Sequence, residues 1–90
     1  MIPMVQKETI VRIQGGLFAR AAANFVQMAN RFRSEVFLEK GGKSVNAKSI
    51  MGVMSLAVAS GQSIIVRASG GDEQQAVDQL VQFIEAEHLS

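Results

Sequence analysis

Few side chains in this sequence can do chemistry. There is one histidine, His88, and no cysteine. Disulfides, thiolate metal sites and thiol nucleophiles are therefore excluded, and neither a serine–histidine–acid triad nor a histidine-rich metal cluster can be assembled. His88 lies two residues from the end of the sequence, where chains fray, and reads as an inert tail residue. The carboxylates Glu35, Glu39, Asp72, Glu73, Asp78, Glu85 and Glu87 fall on predicted polar faces or helix starts. Nothing in their spacing brings two together as an acid–base pair. Gly15-Gly16 before a helical pattern is a weak hint of a phosphate cradle, but neither a G-x-G-x-x-G nor a G-x-x-x-x-G-K-[ST] pattern is present. An enzyme is not expected, nor a metal or an organic cofactor.

Ser49 is different. It stands immediately before Ile50-Met51-Gly52-Val53-Met54, in the position of a helix N-cap. A hydroxyl there sits beside unpaired backbone N–H groups and the positive end of the helix dipole. A phosphoryl group on it would meet donors already aimed at it, and would add about −1.5 to −2 charges without rearranging the helix. Lys43, Lys48 and Arg20 are candidates to assist. An ordinary capping serine accounts for the same pattern. The helix itself crowds Ile50, Met51, Val53, Met54 and Leu56 into a segment too short to bury them all. Either every one packs inward, or some form an exposed, adaptable apolar surface of the kind that marks a protein–protein contact.

The elements that must position these residues follow from hydrophobic period. Thr9, Val11 and Ile13 alternate with Arg12 and predict a strand over Thr9–Ile13, with Ile10 exposed. Ala22, Phe25, Val26, Ala29 and Phe32 repeat with helical spacing and leave Asn24, Gln27 and Arg31 on the wet side. Val36 and Leu38 mark a second strand, and Lys40-Gly41-Gly42-Lys43 a tight hairpin into a third over Lys43–Val45. The Ser49-capped helix is expected to end by Gly61, a left-handed C′ residue. Ile64, Val66 and Ala68 alternate as a fourth strand, and Asp72 with Gln75 resembles a capping box. Ala76, Val77, Leu80, Val81 and Ile84 trace the inner stripe of a last helix. The order βαββαβα, with one forced antiparallel pair, predicts an α+β fold. Its sheet has four strands, mainly antiparallel, with all three helices on one face.

Ninety residues, 48% hydrophobic and 19% charged, are too apolar for a disordered tail and too few for two cores, so one domain over 1–90 is expected. Nine basic against eight acidic residues leave a net charge of +1. No dominant basic surface for direct nucleic-acid binding is therefore expected. No apolar run approaches the roughly eighteen residues that cross a bilayer. Met1-Ile2-Pro3-Met4 has neither the basic nor the apolar region of a secretory signal, and a cytoplasmic location is expected.

Two segments also resemble a known family. The run Val45-Asn46-Ala47-Lys48-Ser49-Ile50-Met51-Gly52-Val53-Met54-Ser55-Leu56 is similar to the regulatory-serine signature of the HPr family, phosphocarriers of the bacterial phosphoenolpyruvate:sugar phosphotransferase system. Gly16-Leu17-Phe18-Ala19-Arg20-Ala21-Ala22 resembles the family's other signature, glycine-[Leu/Ile]-His-Ala-Arg-Pro-Ala. The resemblance spans nearly the whole chain and implies the family fold, an open-faced β-sandwich of the same element order.

The departures matter as much as the matches. Phe18 stands where the family carries its phosphorylatable histidine, and phenylalanine has no nitrogen to accept a phosphoryl group. Arg20 matches the arginine that assists that histidine, and Ala21 replaces the family proline. The pattern is most like the catabolite-repression (Crh) branch, which also lacks the histidine; Asn30-Arg31-Phe32 and Val36-Phe37-Leu38-Glu39-Lys40 resemble it too. The resemblance implies phosphorylation of Ser49 by an ATP-dependent HPr kinase/phosphorylase. The modified chain would then act as corepressor for a LacI-type catabolite control protein, with Phe18, Arg20, Ile50, Met51 and Met54 as contacts. Two alternatives stay open: a phosphocarrier using another acceptor, and an interaction module that uses its apolar patch constitutively. Ile10 and Phe37 on outer faces make a homodimer conceivable.

Overall fold

Alternating apolar residues build the sheet, and their partners on three helices close it from one side. The computed structural model describes residues 4–86. Along the chain run β1 (Val5–Ile10), α1 (Ala19–Ala29), β2 (Glu35–Lys40), β3 (Lys43–Asn46), α2 (Ile50–Ser55), β4 (Ser63–Ser69) and α3 (Glu73–Glu85). The spatial order is β1-β4-β2-β3, and every neighbouring pair is antiparallel. β2 and β3 are joined through Gly41 and Gly42, whose φ values of 57° and 84° give the hairpin turn its two left-handed residues. The predicted α+β, open-faced β-sandwich of βαββαβα order is the observed fold.

One face of the sheet is apolar. Val36, Leu38, Ile64, Val66 and Ala68 point from it into a core that also holds Phe25, Leu17, Leu80 and Ile84. The α1 and α3 stripes read from the sequence are buried, and Phe25 of α1 meets Phe83 of α3 with ring centroids 6.1 Å apart. The opposite face is open to solvent, where Arg67 of β4 pairs with Glu39 of β2 at 3.0 Å. Ile10 is exposed, as its break in the alternation requires.

Three local expectations need correction. The Thr9–Ile13 alternation is correct in burial, but the strand runs Val5–Ile10, beginning four residues earlier and ending three residues sooner than expected. Beyond it, the Val11 N–H donates to the Gln62 carbonyl at 2.9 Å, and the Arg12 and Ile13 N–H groups donate to the Ile84 carbonyl. The chain thus leaves the sheet edge to dock on the end of α3 while its side chains stay buried. The second helix stops at Ser55, well before Gly61. Its left-handed residue is Ala57, at φ 50°, while Gly61 serves the turn into β4. Asp72 does precede α3, but its carboxylate makes no capping bond to that helix.

Asp72 instead ties α3 to the segment after α1. Its carboxylate accepts the Arg33 N–H and the Ser34 N–H, each at 2.9 Å, together with the Ser34 hydroxyl. Ser34 is buried, so a distant acceptor satisfies polar groups that would otherwise be stranded. The Ser34 hydroxyl and then the Arg33 N–H lower the Asp72 pKa from 3.8 to about 2, against a smaller opposing effect of desolvation.

A depressed carboxylate pKa stabilises the folded state above the ordinary carboxylate range, and that contribution disappears as pH falls towards 2. The variant Asp72→Asn is therefore expected to be less stable than wild type at neutral pH. The gap should close between about pH 4 and pH 2 in denaturant titrations. A gap that stays constant across that range would contradict the assignment.

Candidate functional site

α2 has no charged residue of its own, and its first-turn N–H groups lack acceptors within the helix. Ser49 supplies one. Its backbone is extended (φ −109°, ψ 119°), its carbonyl accepts the Val53 N–H at 3.0 Å, and its Oγ accepts the Gly52 N–H at 3.1 Å. The N-cap read from the sequence is the one observed. Gly52 permits the close approach: a Cβ there would lie 3.2 Å from the Asn46 carbonyl and 3.4 Å from the Ser49 Oγ. The hydroxyl is half-buried, at a helix mouth where partial positive charge is concentrated.

The segment leading into Ser49 is fixed by its neighbours. The Ser49 N–H donates to the Asn46 carbonyl at 3.1 Å, and the Lys48 N–H donates to the Asn46 side-chain oxygen at 2.9 Å. Asn30, just past α1, donates its side-chain amide to the Lys48 carbonyl and to Val26. Lys48 Nζ donates to the Phe32 carbonyl at 2.7 Å. Lys48, adjacent to Ser49, thus spends its charge on the α1 turn, and neither Lys43 nor Arg20 bonds to the serine. The three assisting cations read from the sequence are not gathered around the hydroxyl.

The apolar residues of α2 divide. Val53 and Leu56 are buried, whereas Ile50 (41%), Met51 (78%) and Met54 (42%) are exposed. That outcome favours an exposed patch over inward packing. Met51, in the first turn, is the most exposed large apolar side chain among the described residues.

Phe18 occupies the N-cap of α1 in an extended conformation and makes no side-chain cap bond. It is 39% exposed, and Ala19 after it lies at φ 47°. Arg20 is exposed and lines an open groove of about 650 Å³ between α1 and α3 with Arg31, Gln79 and Phe83. α1 and α2 pack against each other, which joins the elements carrying Phe18 and Ser49. His88 and Glu87 lie outside the described residues. Among the described residues, no group of three His, Asp or Glu side chains could hold a metal ion.

One participant was missed by sequence reasoning. Lys40, the last residue of β2, donates through Nζ to the Leu56 carbonyl at 2.9 Å and to the Ala57 carbonyl at 2.8 Å, at the C-terminal end of α2. The hairpin signal includes Lys40 but not this contact, which exists only once the β2–β3 hairpin has folded beside α2.

Comparison with known proteins identifies the family. The family model described as "PTS HPr component phosphorylation site" matches residues 5–86. The chain is 58% identical over 84 residues to the HPr-like protein Crh of Halalkalibacterium halodurans, covering 93% of this chain and all of that one. Among solved structures, the phosphocarrier protein HPr of Bacillus anthracis superposes with a TM-score of 0.89 at 51% identity, covering 90% of this chain and 96% of that one. Crh of Bacillus subtilis, solved as a domain-swapped dimer, gives 0.75 at 56% identity, covering 96% and 99%. These relatives are phosphocarrier and regulatory proteins rather than enzymes in their own right. With its serine cap and its four-stranded open-faced sandwich, the chain belongs to the HPr family.

Proposed function

We propose that this chain is a phosphoserine-switched regulator of carbon catabolite repression. Ser49 is the acceptor for an ATP-dependent HPr kinase/phosphorylase. Its Oγ attacks the γ-phosphorus, the bond to the ADP oxygen breaks, and a base of the kinase takes the hydroxyl proton. The phosphorylated chain acts as corepressor of a LacI-type catabolite control protein. One observation carries the reading: the Ser49 Oγ lies 3.1 Å from the Gly52 N–H, at the mouth of a helix whose Ile50, Met51 and Met54 are exposed.

Phosphate at that position places strong acceptor oxygens and negative charge beside an apolar contact. A partner that offers basic side chains next to a hydrophobic groove gains from both at once. The unmodified form leaves those basic groups unpaired at the interface, so it is rejected. Phe18 and Arg20, at the start of the helix packed against α2, would supply further partner contacts, with Phe18 as an aromatic anchor. A homodimer is in keeping with the open sheet face, on which Phe37 and Ile10 are at least partly exposed, and with the dimeric state described for Crh of Bacillus subtilis.

The second reading, a phosphotransferase-system carrier, is favoured by the relatives named phosphocarrier HPr, one of them 43% identical. Phe18 opposes it, since no imidazole stands at the start of α1.

Treatment with HPr kinase and ATP is expected to label wild type and leave Ser49→Ala unlabelled in intact-mass analysis; equal labelling would overturn the assignment. Incubation with phosphoenolpyruvate and Enzyme I should leave the chain unlabelled, and acid-labile phosphate on His88 would reverse that conclusion. Ser49→Ala also removes the cap, so it is expected to lose about 1 kcal/mol of folding stability in denaturant titrations. An unchanged midpoint would show that the hydroxyl does not support α2.

A further inference from the structure

We propose that Lys40 is a positioning residue for the recognition surface: its ammonium locks the C-terminal end of α2 and so fixes the direction in which Ile50, Met51 and Met54 point. The inference rests on the reading of that face as the partner contact, but the lock itself is a separate structural claim.

α2 has six residues, fewer than an isolated helix needs to persist in water, so its shape depends on what holds its ends. The last turn leaves carbonyls without intrahelical donors, and α2 carries no basic residue in that turn to offset its dipole. The chain then passes through Ala57 at φ 50°, a left-handed conformation that alanine disfavours and that must be held by surrounding contacts. Lys40 Nζ donates to the Leu56 and Ala57 carbonyls, on either side of the Ala57 Cα, at 2.9 and 2.8 Å. A single cation thus satisfies two orphan acceptors, complements the dipole and fixes the left-handed residue.

The holding group is itself well placed. Lys40 closes β2, pairs with Lys43 across the hairpin, and adjoins the Gly41–Gly42 turn, so its backbone is set by the sheet. The neighbouring carboxylate, Glu39, is engaged with Arg67 on the open face and does not compete for the ammonium. Ser49 fixes the helix start from one side, and Lys40 fixes its end from the sheet. Between them lie the three exposed apolar side chains that a partner would read as one rigid group.

The test uses the full chain with Lys40→Met, which keeps the apolar stem and removes the donors, and Lys40→Arg, which restores a cation. In the unphosphorylated protein, hydrogen exchange at the Leu56 and Ala57 amides should accelerate on the order of tenfold in Lys40→Met, with Val66 in β4 unchanged. After Ser49 phosphorylation, affinity for the catabolite control protein should fall on the order of tenfold in Lys40→Met and recover in Lys40→Arg. Unchanged exchange at Leu56 and Ala57 would overturn the lock. Faster exchange with undiminished affinity, or faster exchange in β4 as well, would reduce Lys40 to general stability and overturn the positioning role. If phosphorylated wild type itself did not bind, the functional reading would fail while the exchange data still decided the lock.

Discussion

A helix of six residues cannot average out its ends. Nearly every backbone group in α2 belongs to its first or last turn, so the hydrogen bond from the Gly52 N–H to the Ser49 Oγ helps decide whether the helix exists in this place. The rest of the region is arranged around that bond. Gly52 leaves room for it, Asn46 and Asn30 set the approach of the chain, and Val53 and Leu56 anchor the helix on the core. The same shortness explains the exposed methionines. Six residues offer too little inward surface for Ile50, Met51 and Met54 to join Val53, so they remain exposed.

The chain contains two comparable helix mouths, and they have different chemistry. α2 opens on a hydroxyl, which can cap the helix and can carry a phosphoryl group. α1 opens on Phe18, which can do neither. A phenyl ring in the place of an imidazole removes the proton acceptor and the nucleophile together. What remains is an exposed aromatic beside an exposed arginine, suited to contact rather than transfer. The fold of the family is thus kept, while the start of α1 carries a side chain that cannot accept a phosphoryl group.

Local patterns made much of this legible in the sequence. The burial stripes of α1, β2, β4 and α3, the two-glycine hairpin and the Ser49 cap depend on residues a few positions apart, and each is found where periodicity puts it. The outward turn of Ile10 was visible in the same way. Long-range features were not. That β4 sits between β1 and β2, that Asp72 serves Ser34 rather than its own helix, and that Lys40 reaches α2 all depend on contacts across 16 or more residues. Each involves a polar group whose partner is chosen by the assembled fold. The division of α2 into buried and exposed apolar residues was likewise undetermined until its length was known.

In the proposed switch, charge written at Ser49 and the apolar face beside it are read together. A thermodynamic cycle addresses this directly: calorimetric titration of the catabolite control protein with unmodified and Ser49-phosphorylated chain, each with Met51 intact or as Met51→Ala. Strong binding is expected only for the phosphorylated chain with Met51 intact, and a Met51 effect only when phosphate is present. Equal affinity of the modified and unmodified chains would mean that the patch acts constitutively, and would contradict the account.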